Sequence, residues 1–212
     1  AAKKSDVNSY VDAITSAGLN VVIMDVDSFA LETLYEANYD FEASEIVVLV
    51  NIGANITNIN ILKGGMSIFT RDFTLAGNTI TEGLQERYHV SEEEAERMKL
   101  EGVTGEQENA DLKNTILECA EPICSEIERS VDYFRSTFGG DYIKHVYLSG
   151  GSSRIAGLTN HLSQRLNIET ELINPLLKIS FNKKKIDPQS LESIKTIGAV
   201  SIGLGLRKLG DK

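Results

Sequence analysis

The chain has 212 residues, 42% apolar and 25% charged, with 3 prolines. That length allows one large domain or two small ones around a real core, and the composition is neither disordered nor fibrous. A net charge of −10 and a pI near 4.9 argue against nonspecific nucleic-acid binding and against direct attraction to anionic lipid.

Residues 5–18 carry Val7, Tyr10, Val11 and Ile14 on one helical face, with Gly18 as the stop. Residues 19–26 are apolar and predict a short strand. Ser28 is the expected N-cap of a helix running to Asn38. Residues 46–50 are almost uniformly apolar, which predicts a strand buried on both faces. Residues 56–62 alternate, Lys63-Gly64-Gly65 reads as a hairpin turn, and residues 66–73 return as a third strand. Gly77 opens a helix to about Tyr88. Ser91-Glu92-Glu93-Glu94 is a capping box starting a short helix to about Leu100. A loop spans residues 102–105. Residues 110–138 form a long helix, kinked or divided at Pro122 and stopped by Gly139-Gly140. A strand over 143–148, a helix over 153–166, a short strand over 170–172 and a loop over 174–189 follow. That loop includes the basic tract Lys183-Lys184-Lys185. A last helix covers 190–209, and its glycines predict tight helix packing.

A meander followed by βα units gives an α/β class with a mixed sheet and helices on both faces. Cys119 and Cys124 read as small buried helix residues of a reducing compartment. His89, His145 and His161 are scattered, so no metal site is expected. No run is long enough to cross a bilayer and no signal peptide is evident, which predicts a cytoplasmic protein.

Four stretches could carry chemistry, each with a plainer reading beside it. Asn51-Ile52-Gly53-Ala54-Asn55-Ile56-Thr57 joins two strands. Its small residues and N–H groups suit phosphate oxygens, with Thr57 adding a hydroxyl; otherwise it is a β-turn needing positive φ at Gly53. Ser149-Gly150-Gly151-Ser152-Ser153 places two glycines before a helix N-terminus, open to a base or ribose, or is a strand-to-helix turn with a Ser cap. Glu96 and Lys99 share a helix face and could grip ribose hydroxyls, or form a surface ion pair. Leu75-Ala76-Gly77-Asn78 could face phosphate, or be a turn and cap.

These motifs, with Ala95-Glu96-Arg97-Met98-Lys99 between them, occur in the order seen in the actin-like ATPase superfamily. The stretches 51–65 and 69–72, Glu126-Ile127-Glu128-Arg129-Ser130-Val131-Asp132-Tyr133-Phe134, and Gly203-Leu204-Gly205-Leu206-Arg207 resemble the PilM family of type IV pilus assembly, its FtsA-like branch. The resemblance covers essentially the whole chain. It implies an actin-like, ribonuclease H-like lobe with a helical insert. Residues 1–27 would be the tail of a preceding small subdomain, 28–88 and 110–212 the second large subdomain, and 89–109 the insert. It implies ATP with Mg²⁺ as ligand. The phosphate loop would be Asn51, Gly53, Ala54, Asn55 and Thr57, with Gly77 opening a helix close to the phosphates. Glu96 and Lys99 would contact ribose. Gly150, Gly151, Ser152 and Ser153 would contact adenosine, with Arg154 beginning a helix near the adenine.

The superfamily usually has an aspartate where this chain has Asn51, and an amide is no general base. Weak hydrolysis at most is therefore expected, and no catalytic residue. The superfamily's other phosphate loop has no counterpart in residues 1–45, so the chain would carry one wall of the cleft. The implied role is an ATP-binding scaffold at the inner membrane in twitching motility. It would contact the cytoplasmic N-terminal tail of PilN, mainly through a preceding half, together with other platform proteins. The rival readings are a filament-forming ATPase like FtsA or MreB, a kinase of the same superfamily, and an interaction module without nucleotide.

Overall fold

The computed structural model describes residues 2–104, 110–139, 142–181, 187–208 and 210. Strands β1 (Ile46–Ile52), β2 (Thr57–Lys63) and β3 (Met66–Phe73) form the expected antiparallel meander. Gly64 and Gly65, both at positive φ (56° and 82°), make the two-residue hairpin loop whose twist suits the flanking strands. Strand β4 (Ile143–Ser149) lies parallel to β1, and β5 (Glu169–Leu172) parallel to β4. The sheet order is β3-β2-β1-β4-β5.

Alternation sorts β1 onto two cores. Val47 and Leu49 face one side with Leu31, Leu34 and Tyr35 of α2 (Asp27–Asn38) and Ala199 of α8 (Ala199–Leu206). Ile46, Val48, Val50 and Ile52 face the other, against α3 (Gly77–Tyr88), α5 (Ala110–Phe138) and α6 (Leu158–Leu166). Every one of these β1 side chains is buried, as the uniform apolar run predicts. The asparagines of β2 are buried too. Asn60 donates to the Ser28 carbonyl at 2.8 Å and accepts from Ser67 at 2.6 Å, so its polarity is spent inside. Helix α8 crosses α2 at backbone contact, since a Cβ on Gly203 would lie 1.9 Å from the Ala30 carbonyl oxygen. Tight packing at the terminal glycines thus holds at Gly203.

Several expectations are corrected. Residues 19–26 form no strand: among the described residues no strand pairs with them, and Leu19, Val22, Met24 and Val26 are exposed. Ser28 is not a cap. Helix α2 begins at Asp27 after Val26, and Ser28 is buried in its first turn. Helix α4 (Glu92–Thr104) runs past Leu100, and residues 102–104 are helical, not loop. Pro122 does not divide α5, which continues through it for 29 residues. The last helix is two, α7 (Pro188–Ile197) and α8, parted at Gly198. The basic tract 183–185, Gly105 and Gly140 lie outside the described residues. Helix α1 (Lys4–Ser16) buries none of its residues, and Gly18 at φ +79° ends it. Helix α4 packs on α3 and α5, with Ala95 wholly buried. No helix among the described residues is long and apolar enough to cross a membrane.

Candidate functional site

Strands β1 and β4 are parallel neighbours, and Asn51 is in register with Ser149. Two turns a hundred residues apart therefore leave the sheet side by side at its carboxyl edge, the usual ligand edge of a parallel pair. Ser149 Oγ lies 3.2 Å from Asn51 Oδ1, and Asn51 Nδ2 donates to Asn58 Oδ1 at 3.1 Å. Asn58 in turn donates to Asp72 at 2.9 Å. Asn51 is thus engaged at both ends of its amide.

The carbonyl of Gly53 gathers the other turns. It accepts from the Gly77 N–H at 2.9 Å and from Ser152 Oγ at 3.2 Å. The Asn78 N–H donates to the Ala54 carbonyl at 2.8 Å, and Asn78 Nδ2 to Asn55 Oδ1 at 2.7 Å. The first two amides of α3 are therefore consumed by the Asn51–Thr57 turn. Gly77 is glycine for room: a Cβ there would lie 2.3 Å from Ser152 Oγ.

Gly53 does not adopt positive φ, which corrects the plain-turn reading. Its Cβ would instead crowd the Ile56 carbonyl at 3.0 Å. Ala54 and Asn55 are exposed, and among the described residues nothing accepts from their amides. Thr57 differs from its neighbours in the turn. It is fully buried, and its hydroxyl donates to the Leu75 carbonyl at 2.8 Å.

In the second turn Gly150 sits at φ +88°, where a Cβ would meet the Ile52 carbonyl oxygen at 2.4 Å. Gly151 is exposed, and among the described residues only Ile197 lies within 4 Å of a Cβ, at 3.8 Å. Ser152 and Ser153 are buried, and the Ser153 hydroxyl donates to the Gly150 carbonyl at 2.7 Å. Arg154 does not begin a helix. Residues Gly151–Arg154 form a 3-10 turn, Gly157 at φ +88° interrupts, and α6 starts at Leu158.

Glu96 and Lys99 are brought beside this cluster. Lys99 is buried, and Nζ lies 2.6 Å from Glu96 Oε2, 2.9 Å from Thr81 Oγ1 and 3.2 Å from the Gly77 carbonyl. Burial acts to raise the Glu96 carboxyl, but hydrogen bonds from Lys99 and Thr81 and the Lys99 charge hold it below the usual range. The sequence reading missed Thr81, Asn58, Asp72 and Asp27. Partial desolvation, then the Asp72 carboxylate, push the Asp27 carboxyl up. Away from the cleft, Glu121, Cys124 and His161 approach one another, but Glu121 is already bound by Arg165 and His161. Burial pushes the Cys124 thiol up to about 12.

A family model described as type IV pilus assembly protein PilM matches residues 1–209. A solved PilM–PilN type IV pilus biogenesis complex is similar at TM-score 0.81 and 26% identity, over 97% of this chain and 58% of that one. The ethanolamine utilization protein EutJ of Carboxydothermus hydrogenoformans gives 0.68 and 18%, over 97% of this chain and 62% of its own. MreB 5 of Spiroplasma citri, solved bound to AMPPNP, gives 0.65 and 13%, over 97% and 64%. The chain thus spans less than two thirds of each relative's length. The fold is that of the actin-like ATPases. With the family match running over nearly every residue, the chain belongs to the family of the type IV pilus assembly protein PilM.

Proposed function

We propose that this chain carries one wall of an ATP-binding cleft in a cytoplasmic scaffold of the pilus assembly platform, held at the inner membrane through its partners. The observation that carries this reading is the convergence on the Gly53 carbonyl. It draws the Asn51–Thr57 turn, the start of α3 and the Gly150–Gly151 turn together, and leaves the Ala54 and Asn55 amides without acceptors among the described residues. Backbone amides in a small-residue turn suit phosphate oxygens. The bare face of Gly151 suits a flat base or sugar.

Mg²⁺ would accompany the phosphates and neutralise their charge. Asp27 and Asp72 are the carboxylates on this side to meet it, and their mutual repulsion is what a cation relieves. No carboxylate stands at Asn51, so the role proposed for ATP is to bias the angle between lobes, a shift of population. Docking of the PilN cytoplasmic tail is proposed from the family and from the PilM–PilN complex among the similar structures.

Calorimetry on the full-length protein tests both parts. ATP with Mg²⁺ should bind, and a peptide of the PilN tail should bind with an affinity that changes when ATP is present. Absence of any ATP heat at millimolar concentration would overturn the nucleotide reading. Absence of peptide binding would overturn the partner.

A further inference from the structure

Strand β3 is the edge of the sheet, and its outer side is bare. Its ladder runs to β2, and among the described residues the one further bond of its backbone is from the Ser67 N–H to Glu32 Oε1, at 3.1 Å. Edge strands are normally guarded by outward charges, proline or a covering element. Here Arg71 is engaged by Glu126 and Ser130 of α5, and Asp72 by Asn58, while Met66 and Ile68 are exposed.

The two faces beside this edge differ in chemistry. On one, Phe69 gathers Tyr133 and Phe138 of α5, with ring centroids 5.9 and 6.4 Å away, and both of those rings are about half exposed. On the other, Glu32 and Glu36 stand one turn apart on α2, beside a hollow of about 710 Å³ that Phe29 and Met66 also line. Like charges at that spacing repel. Among the described residues no basic group lies within ion-pair distance of either carboxylate, and Arg207, which lines the same hollow, is taken up by Asp25 at 2.5 Å. Burial first, then Glu36, push the Glu32 carboxyl up against the hydrogen bond from Ser67.

We infer that the β3 edge docks an extended segment of a partner protein, which adds a strand to the sheet with basic side chains toward Glu32 and Glu36 and apolar ones toward Tyr133 and Phe138. Successive side chains of a strand point to opposite faces, so a segment alternating basic and apolar residues meets both at once. A second copy of this chain is the poorer occupant. Edge-to-edge pairing about a two-fold axis would bring the α2 carboxylates of both copies onto one face, in a chain already at net −10. The site stands whether or not nucleotide binds.

The probe is a capped peptide as long as β3 in which lysine and valine alternate. It is titrated into the full-length protein and read by fluorescence anisotropy and by amide hydrogen exchange. It should bind, and the outward amides of residues 68–73 should gain protection. Glu32→Gln with Glu36→Gln should weaken binding by roughly tenfold, the worth of two partly buried ion pairs. Glu92→Gln with Glu93→Gln removes the same charge from α4 and should change binding by less than about twofold. A peptide alternating glutamate and valine should not bind. Glu32→Gln keeps an acceptor for the Ser67 N–H, so the variant should melt as the wild type does. Equal weakening by the two pairs of substitutions would reduce the effect to attraction of a basic peptide by an acidic chain and overturn the site, as would binding without protection in β3. No binding to the wild type at millimolar peptide overturns it too. Protection of β3 without peptide, growing with protein concentration, would assign the edge to a second copy and overturn the partner.

Discussion

Gly77 and Ser152, on different elements and 75 positions apart, stand so close that a single methyl group would separate them: a Cβ on Gly77 falls 2.3 Å from Ser152 Oγ. Gly77 has no positive φ, so its backbone would accept alanine, and steric overlap is the whole obstacle. Gly77→Ala should cost about 1–3 kcal/mol in urea unfolding, the usual range for overpacking. Adding Ser152→Ala should recover part of that loss. No recovery in the double variant would mean that the turns do not meet at this point.

The adjacent glycines of the second turn are unequal. Gly150 combines φ +88° with a Cβ that would lie 2.4 Å from the Ile52 carbonyl. Gly150→Ala should therefore destabilise by about 3 kcal/mol or more. Gly151→Ala should stay within about 0.5 kcal/mol in the same measurement, since its Cβ would meet Ile197 at an ordinary contact distance of 3.8 Å and Gly151 has no positive φ. Equal losses at the two positions would contradict this geometry.

Asn51 donates to Asn58, and Asn58 donates to Asp72. A carboxylate at position 51 can only accept, so Asn58 would have to turn over and give up Asp72. Asn51→Asp should cost about 1–3 kcal/mol at pH 7. The deficit should shrink toward pH 4, as the introduced carboxyl takes a proton and donates again. Phosphate release by the full-length variant should rise above the weak wild-type level, because a carboxylate can serve where the amide cannot. No rise would show that the amide at position 51 is not what limits hydrolysis.

Glu121 on α5 joins Arg165 and His161 on α6. The hydrogen bond from Arg165 is the largest influence and holds the Glu121 carboxyl below its ordinary value of 4.5; burial opposes it and His161 assists. A carboxyl lowered in the folded state binds fewer protons there than in the unfolded chain. Its stabilisation is therefore full above about pH 5 and fades as pH falls through the folded value. Glu121→Gln should differ from wild type most at neutral pH, by less than about 1 kcal/mol because the pair is partly solvated. The gap should close on acidification, read as converging urea midpoints.

The meander was legible because its signals are local. Alternation in β2, the run in β1 and the pair Gly64-Gly65 each act within a few residues. The meeting of two distant turns followed from strand direction, which a βα pattern implies. What the sequence hid was non-local. Residues 19–26 have a strand's composition, but a strand needs a partner, and composition names none. Gly157 looks like a helix interior until its positive φ shows that the chain turns there. Spacing puts Lys99 beside Glu96 while saying nothing of Thr81 and Gly77, which also hold its ammonium. The direction of the Thr57 hydroxyl was hidden likewise, since it depends on the Leu75 carbonyl 18 residues on.

The uncovered run over residues 19–26 also has a colloidal side. Leu19, Val22, Met24 and Val26 lie open to water within eight residues, with Asp25 the only charge among them and its carboxylate taken up by Arg207. A short, weakly charged, β-prone run of this kind is adhesive between molecules. A lysine in place of Val22 should therefore raise the concentration at which this chain begins to self-associate, read by light scattering, while leaving both sheet cores untouched.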